Sequence, residues 1–289
     1  MSSPKVLIPA ILGAAIAGFG DGRPVAASAA VEPAASVAAP AVKLPKLPPP
    51  DPRELPYFMV PIPMEAAEAY WAPDSRHLIA QTRDPQALKT LTGTNGALTW
   101  IFSDDGKDLW RVNDRGQDAC SYFLPDGQTI VWTSTRDNMS MPVGNWSDSD
   151  DYPQGGEIYL SDWRGKNVRR MTNNKYYEAE VSVSPDGQWL AYGRQIDGKM
   201  DIWAQRVTTG EEFQVTRTDE WQEGAPFFLP DSQTIIFRAW KRSEYKKIRP
   251  TPMTIFTIRR DGTDWRRHTF DGGMNWHPTP APDGRHYVY

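Results

Sequence analysis

The stretch "SVSPDGQWLAYGR", residues 182–194, contains a well-specified turn with a short apolar run behind it. Proline fixes φ at the second position of a type I turn, aspartate tolerates the third position, and glycine accepts the positive φ that follows. The run "WLAY" after the turn is typical of a β-strand. The stretch therefore predicts a β-hairpin inside a sheet, and the next question is whether this hairpin is repeated.

The Pro-Asp turn recurs along most of the chain. It is found at residues 73–74, 125–126, 185–186, 230–231 and 282–283. Successive prolines are therefore 52, 60, 45 and 52 residues apart. Spacing of this kind is typical of repeated supersecondary units that stack on one another.

Each full repeat contains four short strand patterns. In the second repeat they are "CSYFL", "TIVW", "EIYLSDWRG" and "VRRMTN", and four antiparallel strands of this kind make one blade of a β-propeller. A sheet with apolar residues on both faces must be covered by neighbouring sheets. We therefore predict an all-β fold, a β-propeller of four full blades and part of a fifth, as an incomplete ring or a fragment of a longer propeller.

The repeated turns and the "R-x-T"-like ends of the repeats resemble the WD40-like repeats of the TolB family, which are periplasmic β-propellers of the bacterial envelope. The resemblance covers about residues 70 to 289. It implies envelope proteins as partners and a role alongside transport or envelope integrity. TolB-like rings are six-bladed, so we expect either that this chain is the N-terminal part of a longer protein or that a partner covers the open end.

The first 56 residues differ in composition from the repeats. Residues 1–29 contain one early lysine, an apolar run and small residues at 27–29, a pattern that indicates a cleavable signal peptide. Residues 30–56 are rich in alanine and proline and predict an extended linker. The predicted propeller covers residues 57–289 of a periplasmic or secreted protein, with no stable membrane span after cleavage. The alternative is a cytoplasmic protein with a disordered, alanine-rich start.

Composition and motifs limit the classes of function. The net charge of −4 is mild and argues against nucleic acid as a partner. The lone Cys120 cannot form an internal disulfide and is predicted to be a small buried residue. His77 and His286 lie at equivalent places after the turn and are predicted to have a structural role. The sequence lacks G-x-S-x-G, H-E-x-x-H and P-loop motifs, so we predict no cofactor and no catalytic residue, while enzymatic activity stays open.

A polar residue recurs eight positions before the turn aspartate in four repeats, where the chain crosses from one blade to the next. These residues are Asp118, Glu178, Glu223 and Asn275. Their aromatic and cationic neighbours include Tyr177, Trp221, Trp276 and His277. Carboxylates that converge beside the central channel would attract a cation or a basic peptide, so these eight residues are the predicted partner-binding site. The alternative is that the polar residues accept backbone N–H groups and hold the crossing segments in place.

Two segments between strand patterns carry dense charge. Residues 134–156 include the acidic run "SDSDD", for which Ca²⁺ binding is the alternative to a solvated loop, although the spacing is not that of an EF-hand. Residues 240–250, "WKRSEYKKIRP", mix basic and aromatic residues, and single-stranded nucleic acid is the alternative to a solvated hairpin loop. We predict solvated loops in both cases, with the first a candidate for partner contact.

These observations favour a non-catalytic, exported scaffold that binds proteins or peptides on one face of the propeller. Two other functions stay open. Similar propellers precede the α/β-hydrolase domain of prolyl oligopeptidase-like peptidases, which here would lie beyond residue 289. Oligogalacturonate lyases, carbohydrate-active propellers, also look similar and use channel histidines with a divalent metal, but only His277 is suitably placed for that chemistry.

Overall fold

The computed structural model describes residues 59–91 and 94–289, and this part of the chain is nearly all β. Within it, the only helix is α1 (Ala87–Thr90), which has four residues. The prediction of a fold without long helices is confirmed. The predicted signal peptide (1–29) and linker (30–56) lie outside the described residues.

Four antiparallel sheets of four strands follow one another along the chain, and a two-stranded sheet comes last. Each strand pairs with the next strand in sequence inside its sheet. Blade 1 contains β1 (Glu65–Trp71), β2 (His77–Arg83), β3 (Ala97–Ser103) and β4 (Leu109–Arg111); blade 2 contains β5 (Asp118–Phe123), β6 (Thr129–Ser134), β7 (Glu157–Asp162) and β8 (Arg169–Arg170). Blade 3 contains β9 (Tyr177–Val183), β10 (Trp189–Ile196), β11 (Lys199–Arg206) and β12 (Glu212–Gln214); blade 4 contains β13 (Trp221–Phe228), β14 (Thr234–Lys241), β15 (Thr254–Arg259) and β16 (Arg266–Arg267). The partial fifth blade contains β17 (Thr279–Pro280) and β18 (Tyr287–Val288).

The Pro-Asp turns connect the first and second strands of every blade. The residue after the turn aspartate has a left-handed φ in each repeat, of 56° at Ser75, 66° at Gly127, 68° at Gly187, 55° at Ser232 and 66° at Gly284. The turn aspartate fixes the turn through backbone N–H groups, as Asp126 does with Gln128 at 2.9 Å and Thr129 at 2.8 Å. His77 and His286 contact the turn aspartate of their own repeats through Nδ1, at 2.6 Å and 2.5 Å. The sequence thus correctly predicted the turn conformation.

The hydrophobic core is a series of layers between neighbouring blades. The layer between blades 1 and 2 contains Ile79, Ile101, Ile130, Trp132 and Tyr159, all fully buried. The layer between blades 2 and 3 includes Val131, Leu190 and Tyr192. The layer between blades 3 and 4 includes Trp189, Phe228 and Phe237. Burying one large apolar side chain contributes about 1.5–3 kcal/mol, so each blade depends on its neighbours for most of its stability.

The face of blade 1 that has no preceding blade is covered by the chain just before β1. Val60 and Ile62 pack against Phe102 and the strands around it. Pro61 lies against Gly106, where a Cβ atom would come within 2.6 Å of the proline ring. This segment takes the place of a neighbouring sheet for that face.

The innermost strands β1, β5, β9, β13 and β17 surround a common axis, because the prolines of all five turns line one depression. The axis is open on one side: residues 65–69 of β1 are exposed, whereas most residues of β5, β9 and β13 are buried. The predicted β-propeller with four full blades and part of a fifth is confirmed.

Candidate functional site

The innermost strand of each full blade contains a β-bulge at the same position. Glu68, Cys120, Glu180 and Ala225 lie six residues before the turn aspartate, and their φ angles are 53°, 38°, 58° and 47°. The strand pairing shifts register at these points. A bulge redirects a side chain out of the regular pleat. Here the bulges place four residues in one space beside the axis, together with His277 at the equivalent position of the fifth repeat.

This space is the polar pocket, which is small and lies at one end of the channel. Its volume is about 20 Å³, enough for about one water molecule. Besides the five bulge-position residues, it is lined by Tyr70, Val181, Phe227, Arg238 and Trp276. Glu68 lies at its exposed edge. Enclosure raises the pKa of the Cys120 thiol, so the thiol is protonated at neutral pH and is a poor nucleophile.

An ion pair between blades 3 and 4 forms one wall of the polar pocket. Glu180 and Arg238 are 2.6 Å apart, and the other carboxylate oxygen of Glu180 accepts the backbone N–H of Ala225 at 2.7 Å. Burial alone would raise the pKa of Glu180, but the charge and hydrogen bonds of Arg238 outweigh burial and hold this pKa below its ordinary value. The pair is therefore ionised at neutral pH.

Arg238 is 1% exposed and lies between two tryptophan rings. Its guanidinium carbon is 5.3 Å from the centre of the Trp240 ring and 4.4 Å from that of Trp276. Gly224 leaves the necessary space, because a Cβ atom there would lie 2.8 Å from Nη1 of Arg238 and closer still to the Glu180 carboxylate. Among the described residues, Nε and Nη1 of Arg238 find no hydrogen-bond partner. One carboxylate and two aromatic faces thus hold the guanidinium.

A cluster of four rings, the aromatic plug, separates the polar pocket from the other end of the channel. It consists of Tyr70, Tyr122, Phe227 and His277. The centre of the Tyr70 ring is 4.9 Å from that of Tyr122 and 6.0 Å from that of Phe227, and Phe227 is 5.0 Å from His277. The Tyr70 hydroxyl and His277 Nε2 are 3.0 Å apart. Burial lowers the pKa of His277, so its imidazole is neutral at neutral pH.

Beyond the aromatic plug, the channel widens into the turn-end depression, with a volume of about 440 Å³. Tyr122 and Phe227 of the plug line it, and Trp71, which is 52% exposed, stands on its wall. The five turn prolines surround it: Pro73, Pro125, Pro185, Pro230 and Pro282. None of the side chains that line this depression is charged.

The polar residues eight positions before the turn aspartate hold the segments between blades. Asp118 is fully buried and accepts the backbone N–H of Thr99 in blade 1 at 2.8 Å and the side-chain amide of Asn113 at 2.7 Å. Burial raises the pKa of Asp118 to about 6. Its two oxygens therefore connect blade 2 both to blade 1 and to the crossing segment before β5.

The same arrangement is found in the next repeats. Glu178 accepts a hydrogen bond from the Asn174 amide at 2.7 Å and one from the Arg194 guanidinium. Glu223 accepts one from the Thr218 hydroxyl at 2.5 Å. Asn275, in the fifth repeat, donates to the Met253 carbonyl and to Asp271, both at 2.9 Å. These contacts match the alternative role of holding the crossing segments, and partner binding by these residues stays a prediction.

The aromatic and cationic residues of the predicted site are divided among different places. Tyr177 is 2% exposed and stacks on Tyr152 with the ring centres 4.1 Å apart. Trp221 packs edge-on against Phe256 at the hydrophobic layer between blades 3 and 4. Trp276 and His277 line the polar pocket. Of the eight predicted residues, the structure brings these last two together at the axis.

The two charged loops bind each other, which the sequence did not indicate. We call this contact the loop clasp; it joins residues 135–156 of blade 2 to residues 242–253 of blade 4. Lys246 Nζ is 2.7 Å from a carboxylate oxygen of Asp148 and 2.7 Å from one of Asp150. The Tyr245 hydroxyl accepts the backbone N–H of Ser149 at 3.2 Å. In the part of the chain that the structure describes, no group of three or more His, Cys, Asp or Glu residues is placed to hold a metal ion.

The charged members of the polar pocket, Glu68, Glu180 and Arg238, were missed by the sequence analysis. A signal for two of them was present, because Glu68, Cys120, Glu180 and His277 occupy the same place in four repeats. Ionisable or thiol side chains on the innermost strand of a propeller have to be explained by a pocket or by partners. Arg238 had no such signal, since it lies in an otherwise apolar strand pattern.

The chain has relatives among proteins of known name, although no protein-family model matches it. A TolB homolog of Chlorobaculum tepidum is 30% identical over 117 residues, which are 40% of this chain and 25% of that protein. The chain thus spans about a quarter of the length of this curated relative. An uncharacterized protein of Agrobacterium fabrum is 29% identical over 134 residues, which are 46% of this chain and 42% of that protein.

The fold has counterparts among solved structures. A TolB structure from Agrobacterium tumefaciens superposes with a TM-score of 0.55 at 22% identity, covering 76% of this chain and 68% of that one. This likeness concerns the fold, and the curated homolog adds the sequence relation. By its repeats, its blades and these relatives, the chain is a TolB-like β-propeller.

Proposed function

We propose that this protein is a non-catalytic scaffold that binds a protein or peptide partner at the turn-end depression. The resemblance to TolB supports a partner that is itself a protein. The two ends of the channel differ in what they can accept. The polar pocket has room for about one water molecule, and most of its charged groups are paired, whereas the depression is open and uncharged.

The turn-end depression is the observation that carries this proposal. A volume of about 440 Å³ lies in the range of about 300–1,000 Å³ that is typical of ligand sites. Tyr122 and Phe227 of the aromatic plug line it, and Trp71 offers a large, half-exposed aromatic surface. Aromatic anchors of this kind carry much of the binding energy at protein interfaces.

We further propose that the protein works in the periplasm, alongside other envelope proteins. Support comes from the composition of residues 1–29 and from the TolB resemblance. No helix in the described residues has the length and apolar character required to cross a bilayer. Fusion of residues 1–56 to alkaline phosphatase, which is active only after export, tests the location, and an inactive fusion would contradict it.

Two half-exposed tryptophans at opposite ends of the channel allow a matched test of the binding site. Trp71 lines the turn-end depression and is 52% exposed; Trp276 lines the polar pocket and is 49% exposed. Affinity capture from a periplasmic extract is compared for the wild type, Trp71→Ala and Trp276→Ala. We expect proteins retained by the wild type and by Trp276→Ala to be lost with Trp71→Ala. Equal capture by all three proteins would contradict the proposal.

A further inference from the structure

The rim of the turn-end depression carries negative charge around an uncharged interior. Each of the five turn prolines is followed directly by an aspartate, which gives five rim carboxylates, and the residue two positions after the aspartate is an arginine in two turns, Arg76 and Arg285. Five negative and two positive charges leave the rim at −3. All five turn aspartates are exposed.

Four of the five rim aspartates have a lowered pKa and keep their charge over the physiological pH range. Backbone and side-chain hydrogen bonds inside the turns outweigh partial burial and lower the pKa of Asp74, Asp126 and Asp231. Hydrogen bonds from His286 and from the turn backbone lower the pKa of Asp283 to about 2. A ligand therefore meets these four negative charges at the rim before it reaches the apolar interior.

The interior suits an extended peptide with proline and leucine side chains. Proline-rich segments are stiff, left-handed helices that lose little entropy on binding, and they dock into surfaces lined by aromatic rings. Trp71, Tyr122 and Phe227 provide three such rings within the depression. The volume of about 440 Å³ accommodates a few side chains, not a folded domain.

On the basis of the proposed function, we propose that the occupant of the turn-end depression is a proline- and leucine-rich segment of a partner protein, flanked by lysine or arginine. The apolar side chains enter the depression and the cations remain at the acidic rim. Complementary charge of this kind speeds association and selects against acidic segments.

The chain itself contains a competing sequence. Residues 43–50 read "KLPKLPPP", which has the composition expected of the ligand. The described chain begins near the turn end of the channel. Pro61 contacts Gly106, and in the same turn as Gly106 the backbone N–H of Asp104 donates to the Arg76 carbonyl of the first Pro-Asp turn, at 3.0 Å. Occupancy by these residues must therefore be distinguished from occupancy by a partner.

The test uses two synthetic peptides and the full chain. Calorimetric titration compares KLPKLPPP with ELPELPPP, in which both lysines are replaced by glutamate. We expect KLPKLPPP to bind at least fivefold more tightly at low salt, and this advantage to shrink as salt is added. Trp71→Ala should weaken KLPKLPPP at least tenfold, whereas Phe270→Ala, at an exposed aromatic residue that does not line the depression, should not. Equal binding of both peptides, or equal binding by both variants, would overturn the proposal.

A rim variant tests the charge without disturbing the turns. Gln128 is exposed and lies two residues after Asp126 of the second turn. Gln128→Lys should weaken KLPKLPPP two- to fivefold and strengthen ELPELPPP, because the rim loses negative charge. A change of the same sign for both peptides would contradict charge recognition.

The remaining outcomes separate this inference from the proposed function. If the wild type binds neither peptide but the Lys43→Glu/Lys46→Glu variant binds KLPKLPPP, the occupant is the chain's own segment and the partner proposal is wrong. If neither protein binds either peptide while periplasmic proteins are still captured in a Trp71-dependent way, the ligand chemistry is wrong and the proposed function stands. If capture is also lost, both are wrong.

Discussion

Gly224 shows how one missing side chain permits the buried ion pair at the channel. Its backbone is not in the left-handed region, so the requirement is for space. A Cβ atom at this position would lie 2.8 Å from Arg238 Nη1 and 2.8 Å from the Met200 methyl group. Contacts this short cannot be relieved without moving buried groups.

We therefore expect Gly224→Ala to lower the free energy of unfolding by about 2–4 kcal/mol, since it overpacks the core and separates a buried pair. Urea denaturation followed by tryptophan fluorescence measures the change. Gly273→Ala is the control, because its Cβ would make only ordinary contacts, at 3.5 Å and beyond with Asp271. A variant at 224 as stable as the one at 273 would show that Glu180 and Arg238 are not held as described.

Glu223 makes the stability depend on pH. Its side chain is fully buried, one oxygen has no hydrogen-bond partner among the described residues, and burial raises its pKa from 4.5 to about 8. Between these two values the unfolded chain releases a proton that the folded chain keeps, so stability is lost as the pH rises. We expect a slope of about 1.4 kcal/mol per pH unit from this group.

Glu223→Gln removes this slope, because glutamine resembles the protonated acid at every pH and its carbonyl still accepts from Thr218. Thermal denaturation between pH 4.5 and pH 8 should show the variant gaining on the wild type as the pH rises. Glu211→Gln, at an exposed glutamate, is the control and should follow the wild type. The explanation fails if the profiles of the wild type and Glu223→Gln run parallel.

The sequence was enough to predict the Pro-Asp turns but not the charged residues of the polar pocket, for a physical reason. The Pro-Asp-Gly signal is local, because proline, aspartate and a residue with left-handed φ determine the turn without help from the rest of the chain. The channel residues depend on the bulge at Glu180 and its equivalents. In a regular strand, residues 178 and 180 would lie on one face. The bulge sends Glu178 to the crossing segment and Glu180 to the polar pocket, and no spacing rule shows this.

At the scale of elements, the loop clasp connects two loops from blades that are not neighbours. The loop of blade 2 passes over blade 3, where the Gln195 amide donates to the Ser149 carbonyl at 2.8 Å. It then meets Lys246 of blade 4. Each loop read alone suggested a solvated segment, because the sequence does not show which distant loops meet. The long-range pairing of opposite charges is a property of the folded ring.

We expect Lys246→Glu to open the loop clasp with little loss of global stability. Exposed ion pairs contribute less than about 1 kcal/mol, but like charges at 148, 150 and 246 repel each other. Limited proteolysis should then cleave within residues 135–156 several-fold faster than in the wild type. Adding Asp148→Lys and Asp150→Lys to this variant should restore resistance. Cleavage at an unchanged rate would mean that the ionic contact does not hold the loop.

At the scale of the whole molecule, the repeats were sufficient to predict the propeller, and the way its ends meet was not predictable. Five similar turns imply repeated units around an axis, four of them full blades and the fifth partial, because only stacking hides both faces of each sheet. The contact between the first and the last unit is specific: the Tyr70 hydroxyl lies 3.0 Å from His277 Nε2, across 207 residues of sequence. A tyrosine or a histidine in the sequence does not indicate such a partner, and only the arrangement of the innermost strands around the aromatic plug brings the two residues together.

The final prediction concerns this contact between Tyr70 and His277. Tyr70→Phe keeps the ring of the aromatic plug and removes only the hydroxyl, so the free energy of unfolding should fall by about 1 kcal/mol, the usual contribution of one hydrogen bond. The loss should be concentrated where the ring ends meet. Hydrogen exchange should therefore accelerate in β1 and in residues 277–280 more than in β10, which lies at the centre of the chain.

Tyr122→Phe removes the other hydroxyl of the plug, for which no partner is found among the described residues, and it should leave both stability and exchange nearly unchanged. Uniform acceleration across all blades after Tyr70→Phe would show that the blades unfold as one unit and that the contact between the ends adds no local strength.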